Sequence, residues 1–115
     1  MNTREASDTL VVLTTLPDPA QARELVRRLV NDRLVACGNV LPSVTSIYRW
    51  EGEVQEEAEV LVVLKTSAAC WERLSAAVRA SHPYDVPELI ALPVRAGHEA
   101  YLAWIARETG QEDAA

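Results

Sequence analysis

The sequence predicts an α+β fold: a ferredoxin-like βαββαβ sandwich with an extra C-terminal helix and an antiparallel sheet in the order 4-1-3-2. Three observations lead there. Strand and helix patterns alternate as βαββαβ, and one more helical pattern follows. Residues 10–13 and 60–64 are apolar throughout and free of proline, which suits central strands. The other two strand patterns carry Pro42 and Pro93, and proline, which cannot donate to a ladder, belongs at sheet edges or bulges.

Taken in order, residues 1–8 are polar and read as a loose end. Leu10-Val11-Val12-Leu13, ending in Thr14-Thr15-Leu16, is the first strand. Asp18-Pro19-Ala20-Gln21 then starts a helix over 18–34: Asp caps, Pro takes the first helical position, and Gln21 completes a capping box. Ala22, Leu25, Val26, Leu29 and Val30 make one apolar stripe, with Arg23, Arg27, Arg28 and Asp32 opposite. Residues 36–50 are rich in β-branched and aromatic types and form the second strand. Glu51-Gly52-Glu53 turns the chain back into a third strand, acidic first and apolar over 60–64. A helix over 67–81 follows, capped by Ser67, with Trp71, Leu74, Ala77 and Val78 as its buried stripe. Residues 89–94 make the last strand and 98–109 the last helix, which Gly110 stops. The single domain spans 9–110, and 111–115 is a loose acidic tail.

Composition narrows the function. The chain has 115 residues, enough to bury about two-thirds of its unfolded surface as one domain. Its net charge of −6 repels phosphate backbones, which argues against nucleic acid as a partner. Cys37 and Cys70 stand at no metal or redox spacing and suit a reducing compartment. Neither a secretory h-region nor a membrane-length apolar run occurs, so the expected place is the cytoplasm. No triad, P-loop or dinucleotide fingerprint is present, and the chain is not read as an enzyme.

The two crossover helices of such a fold cover one face of the sheet, and the other face is normally polar. Here residues 10–13 and 60–64 leave no polar face. The terminal helix can cover part of it, and the long second hairpin of a neighbouring copy can cover the rest, so a homo-oligomer is expected.

Between the second helix and the last strand lies Ser81-His82-Pro83-Tyr84-Asp85-Val86-Pro87-Glu88, a link stiffened by two prolines and carrying imidazole, phenol and carboxylates. With Leu34-Val35-Ala36-Cys37-Gly38-Asn39-Val40, Ser46-Ile47-Tyr48-Arg49-Trp50-Glu51-Gly52, Glu59 to Leu64 with Lys65-Thr66, Leu92-Pro93-Val94, Gly97 and Tyr101-Leu102-Ala103-Trp104, it resembles the CutA family of divalent-cation tolerance proteins. The resemblance runs from about residue 10 to residue 104. It implies a compact homotrimer of ferredoxin-like subunits whose long strands pair across subunits. It also implies a role in tolerance of divalent metals, copper in particular, and an architecture like that of the trimeric nitrogen-regulatory signalling proteins. Copper-binding readings of that family lean on a Cys at the end of the first strand and on paired His before the Pro; here those positions carry Thr14 and Ser81, and only His82 matches.

His82 is the first candidate metal ligand, since neutral imidazole suits copper and zinc; the alternative is a histidine that orders its own turn. Cys37 is the second, as a thiolate for Cu(I) or zinc, against a small buried hydrophobe. Cys70, in the first turn of a helix, reads as a packed or semi-exposed thiol, and His98 as surface or structural. Tyr48, Trp50, Lys65, Tyr84, Asp85 and Glu88 can share a ligand pocket, against interface packing of the aromatics. Glu51, Glu53, Glu56, Glu57 and Glu59 read as a solvated hairpin rather than a cation site.

The expectation is therefore a cytoplasmic homotrimer for divalent-metal tolerance. It binds copper or another divalent cation weakly or conditionally, holds no cofactor tightly, and has no nucleic-acid or membrane partner. Two alternatives stay open: a trimeric regulatory module that binds a small metabolite in an inter-subunit cleft, and a structural adaptor for a partner protein.

Overall fold

In the computed structural model, which describes residues 8–111, one four-stranded antiparallel sheet carries the fold. Its elements are β1 (Thr9–Leu16), α1 (Pro19–Asn31), β2 (Cys37–Trp50), β3 (Glu53–Ser67), α2 (Trp71–Ser81), β4 (Ile90–Pro93) and α3 (Glu99–Glu108). The sheet order is β2-β3-β1-β4, the order the prolines predict. Pro93 ends β4 at one edge. At the other edge, the register of β2 against β3 slips between Leu41 and Val44, so Pro42 sits in a bulge where no ladder bond is asked of it. Except for Asp8 and Gln111, the expected loose ends lie outside the described residues.

Local chemistry sets the element ends. Asp18 caps α1, accepting from the Gln21 amide at 2.9 Å. The helix stops at Asn31 rather than at 34 because Arg33 turns left-handed (φ 59) and the Arg33 and Leu34 amides fold back to the carbonyls of Val30 and Leu29. Val30, predicted on the apolar stripe, is 39% exposed at that end. The β2–β3 hairpin closes through Glu51 and Gly52, both at positive φ, the two-residue turn whose twist matches the strands. Helix α3 ends at Glu108 and is closed by Gly110, also at positive φ, where the Gly110 and Gln111 amides reach the Arg107 and Ala106 carbonyls.

The second helix starts later than its sequence pattern suggests. Strand β3 continues to Ser67, one 3₁₀ turn covers Ala68–Cys70, and α2 begins at Trp71. The Ser67 side chain makes no cap bond. It is buried instead against Thr109, hydroxyl to hydroxyl at 2.5 Å, and so ties β3 to the end of α3.

The core lies between α1, α2 and one face of the sheet. Val12 and Leu16 of β1 and Val60, Val62 and Leu64 of β3 meet Ala22, Leu25 and Leu29 of α1 and Leu74 and Val78 of α2. Gly38 lets α1 approach β2, because a Cβ there would stand 2.7 Å from Val26 Cγ1 and 2.8 Å from Leu64 Cδ2.

The opposite face is apolar and incompletely covered. Register puts Val11, Leu13, Leu61 and Val63 on it, together with Ile90 and Leu92 of β4. Helix α3 lies against β1 and β3. The first four residues are half-buried, while Ile90 and Leu92 remain 49% exposed. The β2–β3 hairpin also runs past the end of β1, whose last pair is Leu16 with Val60, so residues 44–59 project as a two-stranded arm. The molecule measures 53 × 26 × 22 Å, with a radius of gyration of 15.3 Å. A compact chain of this length would have about 13 Å.

Candidate functional site

The proline-bracketed link between α2 and β4 crosses the end of β1 and faces the base of the arm. His82 fixes the crossing. Its Nδ1 accepts from the Tyr84 amide at 3.1 Å, so the ring proton sits on Nε2 and donates to the Thr15 carbonyl at 2.8 Å. Its ring also packs against Tyr84, with centroids 5.0 Å apart. In this arrangement neither nitrogen keeps a free lone pair for a metal.

Between link and arm lies a cleft of about 900 Å³, in the range of small-molecule sites. Tyr48 and Trp50 of β2 form one wall, Tyr84, Asp85 and Glu88 of the link another, and Gln55, Glu57 and Glu59 of β3 the floor. Two tyrosine–carboxylate bonds set the floor: Tyr48 Oη donates to Glu57 at 2.5 Å and Tyr84 Oη to Glu59 at 2.9 Å. The first bond raises the Tyr48 phenol above its usual range, since the bonded carboxylate favours the protonated phenol, and burial adds to it. Burial first, and then the bond to Glu59, push Tyr84 up to about 12.

Five of the predicted site residues are thus brought together: Tyr48, Trp50, Tyr84, Asp85 and Glu88. Lys65 is not among them, which corrects its expected place in the pocket. Register pairs it with Cys37, at the far end of β2 from the arm, and its ammonium bonds the Asn39 side chain. Cys37 is half-buried there, its sulfur 3.6 Å from the Tyr101 hydroxyl. That contact, with some burial, raises the Tyr101 phenol. Cys37 and His82 therefore belong to different regions, and among the described residues no group of three or more His, Cys, Asp or Glu side chains is arranged to hold a metal ion. Cys70 is fully buried, its sulfur 3.5 Å from the Thr109 carbonyl.

Glu57 and Glu59, read from sequence as part of a solvated hairpin, are the residues that reasoning missed. Strand register held the signal: Tyr48 pairs with Gln55 and Ser46 with Glu57, so the phenol and Glu57 share a face as diagonal neighbours. The positions where copper readings place Cys and a second His also resolve. Thr14 is fully buried on the helix side of the sheet, and Ser81 is exposed, its hydroxyl bonded to the Ala77 carbonyl at 3.1 Å.

A ferredoxin-like fold with a projecting hairpin, an open apolar sheet face and a cleft behind an HPY-type link defines a distinct class of small α+β protein. Residues 10–108 match the model described as CutA1 divalent ion tolerance protein. The chain is 47% identical over 100 residues to the divalent-cation tolerance protein CutA of Thermus thermophilus, covering 87% of this chain and 97% of that one. The solved structure from the same organism superposes with a TM-score of 0.86 at 46% identity, over 89% of this chain and 99% of the other. The protein from Archaeoglobus fulgidus, described as a periplasmic divalent cation tolerance protein CutA, superposes with a TM-score of 0.85 at 27% identity, over 88% and 98% of the two chains. The chain belongs to the CutA divalent-ion tolerance family. No helix among the described residues is long and apolar enough to cross a membrane.

Proposed function

We propose that this protein acts as a homotrimer in tolerance of divalent metals, copper in particular, in the cytoplasm and without catalysing a reaction. The observation that carries the reading is the match of residues 10–108 to a family described by divalent ion tolerance. Assembly is supported by the apolar strip around Ile90 and Leu92 and by the arm, whose Ile47 and Val54 are each 65% exposed. Weak or conditional metal binding follows from the donors. The His82 ring reaches a cation only after giving up Thr15 or Tyr84, and the half-buried Cys37 thiol is a single soft ligand. Both cysteines are free thiols, which supports a reducing compartment.

Light scattering and titration calorimetry test this together. The expected mass is three times the 12.7 kDa chain. Reduced protein is titrated with Cu(I), Cu(II) and Zn(II), beside His82→Ala and Cys37→Ser. Weak binding that one of the two substitutions removes is expected. A monomer in dilute solution defeats the assembly, and heat no greater than that of surface carboxylates, unchanged in both variants, defeats direct metal binding. Cell fractionation that finds the protein outside the cytoplasm defeats the compartment.

A further inference from the structure

We infer that the cleft between link and arm binds an organic cation, a compact ammonium or guanidinium group carried on a small apolar body. This goes beyond metal tolerance and does not depend on it. The walls offer three aromatic rings, Tyr48, Trp50 and Tyr84, and ring faces attract cations. The lining adds the carboxylates of Glu57, Glu59, Asp85 and Glu88, and among the described residues no Lys, Arg or His side chain lines the cleft to offset them. An anionic or phosphorylated metabolite would meet repulsion on every side.

Geometry separates this from a solvated acidic hairpin. Each phenol is held by a carboxylate, Tyr48 by Glu57 and Tyr84 by Glu59, so rings and charges are fixed relative to one another before any ligand arrives. The link is held in turn by the two His82 bonds and by Pro83 and Pro87. The volume, about 900 Å³, is far more than a bare metal ion needs and fits an organic molecule. Donor arrangement points the same way, since no three of these carboxylates converge as metal ligands among the described residues. The aromatic and acidic pairing therefore selects charge and shape together, whereas a hard divalent ion would want converging oxygens.

The test is calorimetric titration of the full chain, in its native assembly, with benzyltrimethylammonium chloride, beside benzyl alcohol as the uncharged probe and benzoate as the anionic one. Glu57→Gln and Glu59→Gln remove charge but keep a carbonyl oxygen that still accepts the tyrosine bond, so the walls stay in place. Far-UV circular dichroism and light scattering check that each variant keeps its fold and mass. The expected result is saturable binding of the ammonium probe, weakened about threefold or more by each substitution and further by added salt, with benzyl alcohol much weaker and benzoate silent. Four results overturn the inference: no binding up to about 10 mM, equal affinity for benzyl alcohol or benzoate, unchanged affinity in the double Gln variant, or release of the ammonium by magnesium at lower concentration. A cleft filled by a neighbouring subunit gives the first of these and overturns it equally.

Discussion

Replacing Thr14 by Val is expected to stabilise the protein. Thr14 is fully buried on the core side of β1, between Val12 and Leu16 on the same face and opposite Val62 of β3. Its Oγ1 is buried without a hydrogen-bond partner among the described residues. An unpaired buried hydroxyl costs about 1–3 kcal/mol of desolvation, because water that would bond it in the unfolded chain is gone. Valine has the same branched shape and strand preference, so the exchange removes that cost and leaves the backbone alone. The expected gain is about 1–2 kcal/mol, or about 4 °C in Tm per kcal/mol for a domain of this size. Urea unfolding at one fixed protein concentration measures it, since an oligomer's apparent stability moves with concentration. The midpoint should rise with the slope unchanged. Thr14→Ser is the counterpart: it keeps the hydroxyl, loses the methyl, and should cost about 1 kcal/mol. If Val destabilises while Ser is neutral, the hydroxyl has a partner and the reasoning fails. The same geometry says that a Cys at position 14 would sit in the core, out of reach of the cleft.

Gly38→Ala should destabilise by about 1–3 kcal/mol, because the new methyl meets Val26 and Leu64, which are nearly fully buried and have little room to move; equal urea midpoints for the two proteins would contradict the close approach of α1 to β2. Tyr84 gives a pH window. Its folded pKa, about 12, lies above the ordinary 10, so its stabilising contribution is complete below about pH 10 and is lost as pH rises toward 12. Solvent around the ring discounts that displacement to an expectation of about 1 kcal/mol. Tyr84→Phe should abolish that part of the alkaline loss, and parallel curves for the two proteins over pH 10–12 would count against it. Thr109→Val should cost about 1–2 kcal/mol, because the buried Ser67 hydroxyl loses its hydroxyl partner and α3 loses its tie to β3; hydrogen exchange should quicken at the end of α3 before it does in β1.

The sheet order was legible because proline acts on the backbone itself. Pro42 and Pro93 forbid central positions whatever the side chains around them do, and the structure puts one in a bulge and the other at the end of an edge strand. The start of α2 was less legible. Ser67 has the chemistry of a cap, but a partner 42 residues away in sequence took its hydroxyl, and no local pattern shows that. Lys65 failed as a pocket residue for a similar reason. Its place depends on how far β3 extends past the base of the arm, and a long strand with period-two alternation looks the same along its length. The cleft aromatics were legible as a group, because Tyr48 and Trp50 share a face by spacing alone. Their acidic partners were not, because pairing Glu57 with Tyr48 requires the register across the hairpin.

The arm links assembly to the cleft. A two-stranded ribbon is marginal alone in water, and residues 44–59 extend beyond the reach of β1, with Val54 on the outer side and the exposed Ile47 among the residues that line the cleft. The opposite side of the same ribbon supplies Tyr48, Trp50, Glu57 and Glu59 to the cleft. Tyr84 bonds the link to Glu59 of that ribbon, and His82 bonds the link to the Thr15 carbonyl of β1. Neither is strong enough to replace the missing third strand, since single hydrogen bonds contribute about 1 kcal/mol net. Whatever covers Ile47 and Val54 therefore also steadies the cleft. In a homotrimer, subunit contact and cleft geometry would then be one equilibrium, and a cation held between the carboxylates and rings would favour the assembled form by the difference in its affinity for the two forms.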